Sequence, residues 1–352
     1  MKKILYVITG LGMGGAEHIV ANLADKAHSK GFEVKIAYLI GDVKVRPTDS
    51  GIELVPLGMK SYFSLGIALW RLCRLMQRFK PDVVHSHMIH ANLLARFSRI
   101  FIRCPRLVCS AHSSNEGGGL RMLAYHLTNR LGDVFTNVSH NAARALEKAG
   151  AAPAGSIVPI LNGIDAERFK PYEKRKNDVF TIIAVGRLEE VKDYPNLLGA
   201  ISMLSDCYSD FKLRVVGDGS QRAQLEALAD SLRLSGKVEW LGVRQDIPEL
   251  LNRSDLFVLT SAWEGFGLVV AEAMACGLPV VATDCGGVKE VVGDVRSLVK
   301  PKDSAALAAK IVEVMNMPSD KRDLVGKRNR QRIVDNYSLN TMFDNYRNLY
   351  KL

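Results

Sequence analysis

The apolar residues of this 352-residue chain occur in short runs that alternate with longer segments carrying one apolar face. Residues 3–9 predict a buried strand, residues 15–30 a helix and residues 33–40 a second strand. The same order then repeats through the chain. Short apolar strands that alternate with helices are typical of parallel β–α units in a doubly wound sheet.

The pattern restarts at Phe180, so the chain divides into two series of elements. The polar segment 170–178 between them contains Pro171 and predicts an interdomain linker. The fold class that follows is α/β, with two Rossmann-like, doubly wound domains. Further strands are predicted at 82–87, 106–111, 134–138, 157–160, 180–185, 212–216, 237–240, 255–259, 279–283 and 295–299. Further helices are predicted at 66–79, 90–102, 120–131, 140–149, 193–204, 220–232, 246–252, 267–275, 287–292 and 303–315, and a polar stretch at 316–330 precedes a last helix at 339–351.

The composition is that of an ordinary globular protein, with 47% hydrophobic and 24% charged residues. The first apolar run is too short for a signal peptide, and no run of about 18 apolar residues predicts a membrane-spanning helix. The six cysteines follow no metal-binding or disulfide spacing. These features favour a cytoplasmic location, where thiols stay reduced.

The loop after the first strand is rich in glycine. Gly10, Gly12 and Gly15 form a G-x-G-x-x-G pattern between a strand and a helix, which is typical of dinucleotide binding. Such sites also need an acidic residue at the end of the second strand. The only candidate is Asp42, which lies beyond the end of the strand predicted at 33–40. An NAD-dependent oxidoreductase is therefore one hypothesis. The alternative is that Gly14 and its neighbours let backbone amides approach a phosphate at the helix start.

The strand predicted at 180–185 is followed by two cationic residues. Arg187 lies directly after the strand in Gly186-Arg187-Leu188, and Lys192 follows five positions later. Both could bind a pyrophosphate, the arginine through its planar fork and the lysine as a point charge. Solvated surface charges are the alternative, but the position at a strand end favours binding.

Two glutamates flank the start of the helix predicted at 267–275. Glu264 precedes it, and Glu272 lies eight positions later, about two helical turns along. The neighbours of Glu272 are small or apolar, so its side chain is expected to be buried. A buried carboxylate without a partner is costly in free energy. A ligand is favoured as this partner over a structural Lys or Arg. The helix start would offer an anion the backbone amides of Phe266, Gly267 and Leu268.

Two further loops follow predicted strands of the second series. They contain Gly217 and Val243, whose backbone groups could bind the edge of a nucleotide base.

Taken in chain order, these motifs resemble the retaining glycosyltransferases of the GT-B type, and more narrowly glycosyl transferases group 1, also called family 4. The resemblance covers nearly the whole chain. It rests on Gly12-Met13-Gly14-Gly15-Ala16-Glu17, Asn162-Gly163-Ile164-Asp165, Gly186-Arg187-Leu188 with Lys192, Glu264-Gly265-Phe266-Gly267-Leu268 with Glu272-Ala273, and Gly286-Gly287 with Glu290.

The resemblance implies an architecture. An acceptor-binding domain at 1–168 and a donor-binding domain at 169–335 would face a central cleft. A C-terminal helix at 336–352 would return to the first domain.

The resemblance also implies roles for individual residues. Those matching Arg187 and Lys192 neutralise the donor diphosphate, the glutamate matching Glu272 binds the donor ribose, and that matching Glu264 lies near the sugar hydroxyls. The amides of 266–268 approach the diphosphate or the sugar. The loop with Gly14 and Gly15 closes over the donor, and His112 lies near the reacting centre.

The chemistry implied needs no cofactor and no metal, since the nucleotide diphosphate sugar is a substrate. His85, His87 and His90 resemble a metal cluster, but a lining of the acceptor site is the favoured interpretation. The expected partners are the nucleotide-sugar donor and a saccharide or a polyprenyl- or lipid-linked acceptor. A GT-B epimerase or phosphorylase and a non-catalytic binding module are further alternatives.

The net charge of +10 is concentrated in one stretch. Residues 55–130 hold eleven Lys and Arg residues, and Asp82 and Glu116 are their only carboxylates. Arg96, Arg99, Arg103 and Arg106 recur at helical spacing among apolar residues, and so do Arg71, Arg74 and Arg78. Basic faces with apolar neighbours suit an anionic membrane surface. The sequence thus predicts a peripheral contact through 66–106 at the inner face of the cytoplasmic membrane, against the alternative of a solvated face. No nucleic-acid module is recognised, so no nucleic-acid partner is expected.

Overall fold

A computed structural model describes residues 1–59, 64–172 and 179–352. Most of the predicted linker, at 173–178, lies outside the described residues. The chain forms two compact units, the first made of Met1–Gly163 with Leu339–Leu352 and the second of Ile164–Ser338. The sequence placed these divisions at 168 and 335. Among the described residues, no helix combines the length and the apolar character needed to cross a bilayer.

The first unit is built on a sheet of parallel strands. Its strands are β1 (Lys3–Gly10), β2 (Glu33–Ile40), β3 (Glu53–Pro56), β4 (Val83–His87), β5 (Arg106–Ala111), β6 (Val134–Asn137) and β7 (Ile157–Pro159). They lie in the order β3-β2-β1-β4-β5-β6-β7. The central strands are buried on both faces, which explains their continuous apolar sequence. The edge strand β3 was not predicted, because it is short and its side chains are partly exposed.

The helices of the first unit follow the predicted pattern. They are α1 (Gly15–Ser29), α2 (Leu65–Phe79), α3 (Ile89–Phe101), α4 (Gly119–Thr128) and α5 (His140–Lys148). Helix α2 buries Ala68, Leu72, Met76 and Phe79 at spacings of three and four, so one face packs on the sheet.

The last helix of the chain, α13 (Leu339–Tyr350), belongs to the first unit. Its Tyr346 and Tyr350 are fully buried. The Tyr350 hydroxyl lies 2.7 Å from Nδ1 of His85 on β4, and the carbonyl of Leu349 accepts a hydrogen bond from Arg106. These bonds to the centre of the sheet fix the C-terminus on the first unit.

The second unit repeats the doubly wound plan. Its strands are β8 (Phe180–Val185), β9 (Phe211–Val216), β10 (Val238–Gly242), β11 (Leu256–Leu259), β12 (Val280–Thr283) and β13 (Leu298–Val299), parallel in the order β10-β9-β8-β11-β12-β13. Its helices are α6 (Tyr194–Ser205), α7 (Arg222–Ser231), α8 (Ile247–Asn252), α9 (Leu268–Ala275), α10 (Val288–Val292), α11 (Ser304–Met315) and α12 (Ser319–Asn336).

Helix α12 corrects the sequence analysis, which assigned no regular element to 316–330. Polar residues cover almost its whole surface, and of its residues only Gly326 and Ile333 are buried. Arg330 donates hydrogen bonds to the carbonyls of Ala275 and Phe169 at 2.7 and 3.0 Å. Since Ala275 ends α9, the arginine satisfies a carbonyl that the helix leaves unpaired. Hydrogen bonds of this kind leave no apolar periodicity in the sequence.

The predicted basic stripe is also partly wrong. Arg96 is fully buried and donates hydrogen bonds to the Tyr125 carbonyl and the Thr128 hydroxyl at 3.0 and 3.1 Å. Arg99 forms an ion pair of 2.8 Å with Asp133. Arg106 is held by the carbonyl of Leu349, so these three arginines support the first unit and do not form a free cationic surface.

Replacement of Arg96 should therefore act on stability. We expect Arg96→Ala to lower the free energy of unfolding by about 3 kcal/mol, because buried acceptors lose their donor. The exposed Arg103 is the matched control, and Arg103→Ala should change the free energy of unfolding by less than about 0.5 kcal/mol. Urea unfolding measures both, and equal stabilities for the two variants would contradict the buried role.

Candidate active site

In both sheets the strand order reverses at one point, and ligands of doubly wound folds bind at the carboxyl ends of the strands there. In the second unit this point lies between β8 and β11. Gly186-Arg187-Leu188 follows β8, and residues 260–264 follow β11. The fold therefore brings Arg187, Lys192 and Glu264, which the sequence singled out, to the same edge of one sheet.

An ion pair joins the two loops at this edge. Nζ of Lys192 lies 2.5 Å from Oε1 of Glu264, and the side chains are 17% and 15% exposed. The same Oε1 accepts a hydrogen bond of 2.7 Å from the Ser261 hydroxyl. Thr260 donates to the Lys192 carbonyl at 2.8 Å. The carboxylate and the ammonium group are thus fixed side by side, with little freedom to turn into solvent.

Arg187 has a different environment. Its side chain is exposed and, within the described residues, its guanidinium makes no hydrogen bond. The amide of the next residue, Leu188, donates to the Asp218 carbonyl at 3.0 Å, which fixes the backbone of the loop. A fixed backbone with a guanidinium that makes no hydrogen bond can present a planar fork to an anion.

The loop that contains Gly217 is already used by the fold. The backbone amide of Gly217 donates a hydrogen bond of 2.8 Å to the Gly242 carbonyl. With φ at +136°, a β-carbon at Gly217 would overlap the carbonyl of Gly186. Close packing of two loops thus explains this glycine, and its amide is not free for a base. Val243 follows β10 and is 61% exposed, so this residue is not buried by the fold.

The start of α9 lies beside the ion pair. Gly267 precedes the helix with φ at +92°, and Phe266 is buried against Tyr337, with ring centroids 5.7 Å apart. Among the described residues, the amides of Gly267 and Leu268 make no hydrogen bond. The helix start thus carries unpaired donors and the positive end of the helix dipole, both suited to an anion.

Glu272 lies on α9, one helix turn from its carboxyl end. Its side chain is half-buried and, within the described part of the chain, its carboxyl oxygens form no hydrogen bond. Burial raises the pKa of Glu272 to about 7, and the positive charge of Arg168 lowers it in part. A carboxyl group without a hydrogen-bonding partner in the protein is available to a ligand.

In the first unit the strand order reverses between β1 and β4. Gly14 immediately precedes α1, and Gly15 begins it. A β-carbon at Gly14 would collide with the Glu17 carboxylate, so this loop is packed against a side chain of its own helix. His87 ends β4, and His112 follows β5 directly. The loop and the two histidines thus share the carboxyl edge of this sheet.

The histidines at this edge form a chain, in which His85 and His87 are fully buried and His112 is partly buried. Nδ1 of His87 lies 2.9 Å from Nε2 of His112, and the ring centroids of His85 and His87 are 3.9 Å apart. Burial lowers the pKa of His112 to about 4 and holds those of His85 and His87 well below their usual value. All three imidazoles are therefore neutral at pH 7. Among the described residues, no three His, Cys, Asp or Glu side chains are grouped to hold a metal ion.

A solved structure with the same fold is that of Anabaena HepE in complex with UDP-glucose. It is 22% identical to this chain, with a TM-score of 0.84, and the alignment covers 100% of both chains. The family model of glycosyl transferases group 1 matches residues 165–332, and that of glycosyltransferase family 4 matches residues 13–168. The chain belongs to the GT-B glycosyltransferases.

Curated relatives of this glycosyltransferase include two bacterial proteins that are similar over most of their length. The putative glycosyltransferase EpsD of Bacillus subtilis is 26% identical, over 90% of this chain and 89% of its own. The lipopolysaccharide core biosynthesis glycosyltransferase LpsD of Rhizobium meliloti is 27% identical, over 90% and 89%. Membership in a transferase family replaces the alternative of an NAD-dependent oxidoreductase.

The sequence analysis of this glycosyltransferase missed residues that hold the candidate site residues in place within each unit. Ser261 holds Glu264, and Glu116 accepts a hydrogen bond of 3.0 Å from the amide of His112. Tyr125 donates to the other oxygen of Glu116 at 2.7 Å. Ser261 could have been found, since it is polar and follows a strand end. Glu116 could not, because no local pattern shows that its carboxylate turns to the amide of His112 and the hydroxyl of Tyr125.

Proposed function

We propose that this glycosyltransferase transfers a hexose or an N-acetylhexosamine from a nucleotide diphosphate sugar, UDP-linked, to a saccharide or lipid-linked acceptor, with retention of the anomeric configuration. The observation that carries the proposal is the edge of the second sheet. There Arg187 and Lys192 lie after one strand, Glu264 after its neighbour, and the unpaired amides of α9 follow at once. This is an anion-binding arrangement with carboxylates beside it.

The proposed reaction breaks the bond between the anomeric carbon and the oxygen of the β-phosphate. Negative charge then accumulates on the diphosphate and positive charge on the sugar ring. Arg187, Lys192 and the start of α9 would stabilise the departing diphosphate. Glu272 would accept hydrogen bonds from the ribose hydroxyls. We assign a contact with the transferred sugar to His112, and a contact with the donor to the Gly14–Gly15 loop.

Retention in this proposal does not use a protein nucleophile. One oxygen of Glu264 already accepts hydrogen bonds from Lys192 and Ser261, so its charge is shared and its position is fixed. The acceptor hydroxyl would attack from the face that the diphosphate leaves, and its proton would pass to the leaving oxygen. A double displacement through Glu264 is therefore not proposed, although paired carboxylates can act in that way.

The proposed acceptor belongs to a cell-surface polysaccharide or lipopolysaccharide. Support comes from the relatives, since one is named for lipopolysaccharide core biosynthesis. A solved structure of the same fold was obtained with UDP-glucose, which supports the choice of donor.

Product analysis tests the proposal. The protein is incubated with a panel of UDP-, GDP- and ADP-sugars and with polyprenyl-phosphate-linked and free saccharides, and products are identified by mass and by anomeric coupling in NMR. Transfer from a UDP-sugar with retained configuration is expected. An inverted product, or conversion of the donor without any acceptor, as in an epimerase or a phosphorylase, would contradict it.

We further propose that the first unit docks on an anionic membrane, through the predicted basic face of α2 and the apolar residues beside it, and not through Arg96, Arg99 and Arg106. Neighbouring helices α2, α3 and α4 contain no Asp or Glu. Their outer sides expose large apolar residues, namely Leu65, Ile67, Trp70, Phe97, Ile100, Phe101, Leu120, Leu123 and Leu127. Exposed arginines, namely Arg71, Arg74, Arg78 and Arg121, accompany them. Apolar side chains with cations and no carboxylates suit anionic lipid.

Replacement on α4 should release the protein from vesicles. We expect the double variant Leu123→Glu with Leu127→Glu to lower binding to anionic phospholipid vesicles at least about tenfold. The two leucines would no longer bury apolar area in the lipid, and the new carboxylates would be repelled by the anionic headgroups. Leu324→Glu, at an exposed leucine of the second unit, is the matched control. Vesicle co-sedimentation measures all three proteins. Wild-type binding by the double variant, or none by the wild type, would refute the contact.

A further inference from the structure

His87 has an unusual place beside the candidate active site. It ends β4, is fully buried, and its Nδ1 lies 2.9 Å from Nε2 of His112. Within the described residues, its other nitrogen, Nε2, is buried and has no hydrogen-bond partner. A neutral imidazole carries one N–H donor and one acceptor nitrogen, so this geometry constrains where the protons lie.

Two arrangements of the protons are possible for the neutral pair. In the first, His87 carries its proton on Nδ1 and donates it to Nε2 of His112. In the second, His112 donates from Nε2, so His87 must carry its own proton on Nε2. The second arrangement leaves a buried N–H without an acceptor, whereas the first leaves only an unprotonated nitrogen. Orphaned buried donors are rarer in proteins than under-satisfied acceptors.

The surroundings prevent the His87 ring from turning to escape this choice. The ring of His85 lies against it, with centroids 3.9 Å apart. His85 is itself held on both sides, by the Tyr350 hydroxyl at Nδ1 and the Ser110 hydroxyl at Nε2, each at 2.7 Å. On the other side of the bond, Glu116 accepts from the backbone amide of His112. The His87 ring and the backbone of His112 are therefore both held in place.

We propose that His87 is a positioning residue that holds His112 in the tautomer with its proton on Nδ1. His112 then offers the transferred sugar a hydrogen-bond donor and cannot act as a general base, because its one unprotonated nitrogen is occupied by His87. The nitrogen of an imidazole that carries the proton is set by the bond that the other nitrogen makes. This inference rests on the proposed function only in naming the sugar as the group that His112 contacts.

The tautomer can be measured directly on the free protein. Protonated and unprotonated imidazole nitrogens have well-separated ¹⁵N chemical shifts, and long-range ¹H–¹⁵N correlation of ¹⁵N-histidine-labelled protein resolves them. His112→Asn identifies the His112 signals by their loss. We expect Nδ1 of His112 to be protonated and Nε2 to be unprotonated at pH 7.5. The opposite assignment in the wild type would overturn the proposal without any assay of activity.

Two matched variants test the consequence for catalysis. His87→Asn keeps a donor near the position of Nδ1, whereas His87→Leu fills a similar volume without one. We expect His87→Leu to lower kcat for sugar transfer by about tenfold to a hundredfold, since a displaced or re-protonated His112 loses its contact. The affinity of the His87→Leu protein for UDP, measured by calorimetry, should stay within about twofold of the wild-type value. His87→Asn should recover most of kcat and of the His112 tautomer signal.

Failure of the inference and failure of the proposed function give different results. An unaltered His112 tautomer and an unaltered kcat in His87→Leu would overturn the positioning role while leaving the glycosyltransferase chemistry intact. Absence of transfer from every nucleotide sugar would contradict the proposed function, and the ¹⁵N shifts would still decide the tautomer. A merely structural role of His87 would lower thermal stability in both variants alike, with no rescue of kcat by asparagine.

Discussion

Lys192→Met should lower kcat for sugar transfer by about a hundredfold to a thousandfold. The ammonium group lies 2.5 Å from Glu264 at the switch point of the second sheet, where the departing diphosphate would need a positive charge. Loss of one group that stabilises charge in the transition state costs this much in other enzymes. Steady-state kinetics with the nucleotide sugar found by the product screen measures the change.

A matched control separates charge at the site from charge in general. Lys289 also pairs with a carboxylate, at 3.7 Å from Asp284, but its side chain is 56% exposed. Lys289→Met should keep kcat within about twofold, since exposed ion pairs contribute little. Because Lys192→Met leaves the largely buried Glu264 without its partner, a thermal melt should accompany the kinetics. A folded Lys192→Met protein with wild-type kcat would show that the leaving group is stabilised elsewhere.

Glu272→Gln should weaken binding of UDP by about tenfold to a hundredfold and yet stabilise the free protein at pH 8. The first effect follows from the loss of charged hydrogen bonds to the ribose, worth about 1.5–3 kcal/mol each. The second follows from the pKa of Glu272, which burial raises to about 7 in the folded protein.

The direction of the pH dependence follows from proton linkage. The unfolded chain releases the Glu272 proton near its ordinary pKa of 4.5, whereas the folded protein keeps it to about 7. The folded state therefore binds more protons between these values, so this group lowers stability as the pH rises through that window. Glutamine removes the penalty, and the gain in Tm should be present at pH 8 and absent at pH 4.5.

The partly exposed Glu226, paired with Arg222 on the surface of the second unit, supplies the control for this pair of measurements. Glu226→Gln should leave UDP affinity unchanged and should shift Tm equally at both pH values. Unchanged UDP affinity in Glu272→Gln would remove Glu272 from the donor site. A lower Tm at pH 8 would contradict the raised pKa.

Most of the fold could be predicted because the strands are buried on both faces. Strands such as β1 and β8 have continuous apolar sequences between polar loops, which periodicity detects. Helix α12 could not be predicted in this way, since Arg330 and close backbone contact at Gly326 hold it in place of an apolar stripe. Arg96 was misassigned for the same reason, because burial of an arginine depends on carbonyls that tertiary structure supplies.

The candidate site was predictable as a set of positions but not as a network. Strand-end placement selected Arg187, Lys192 and Glu264, and the sheet order does bring them to one edge. The ion pair between Lys192 and Glu264 joins residues 72 positions apart, so no local pattern contains it. In the first unit, the bond between His87 and His112 has the same character, since it connects adjacent strands that are distant in sequence.

A crystal structure of the protein with UDP tests the central claim most directly. We expect diphosphate oxygens within hydrogen-bonding distance of the Arg187 guanidinium and the Lys192 ammonium, next to the start of α9, with the ribose hydroxyls on the Glu272 carboxylate. A nucleotide bound elsewhere, or bound there with these three side chains directed away from it, would contradict the account.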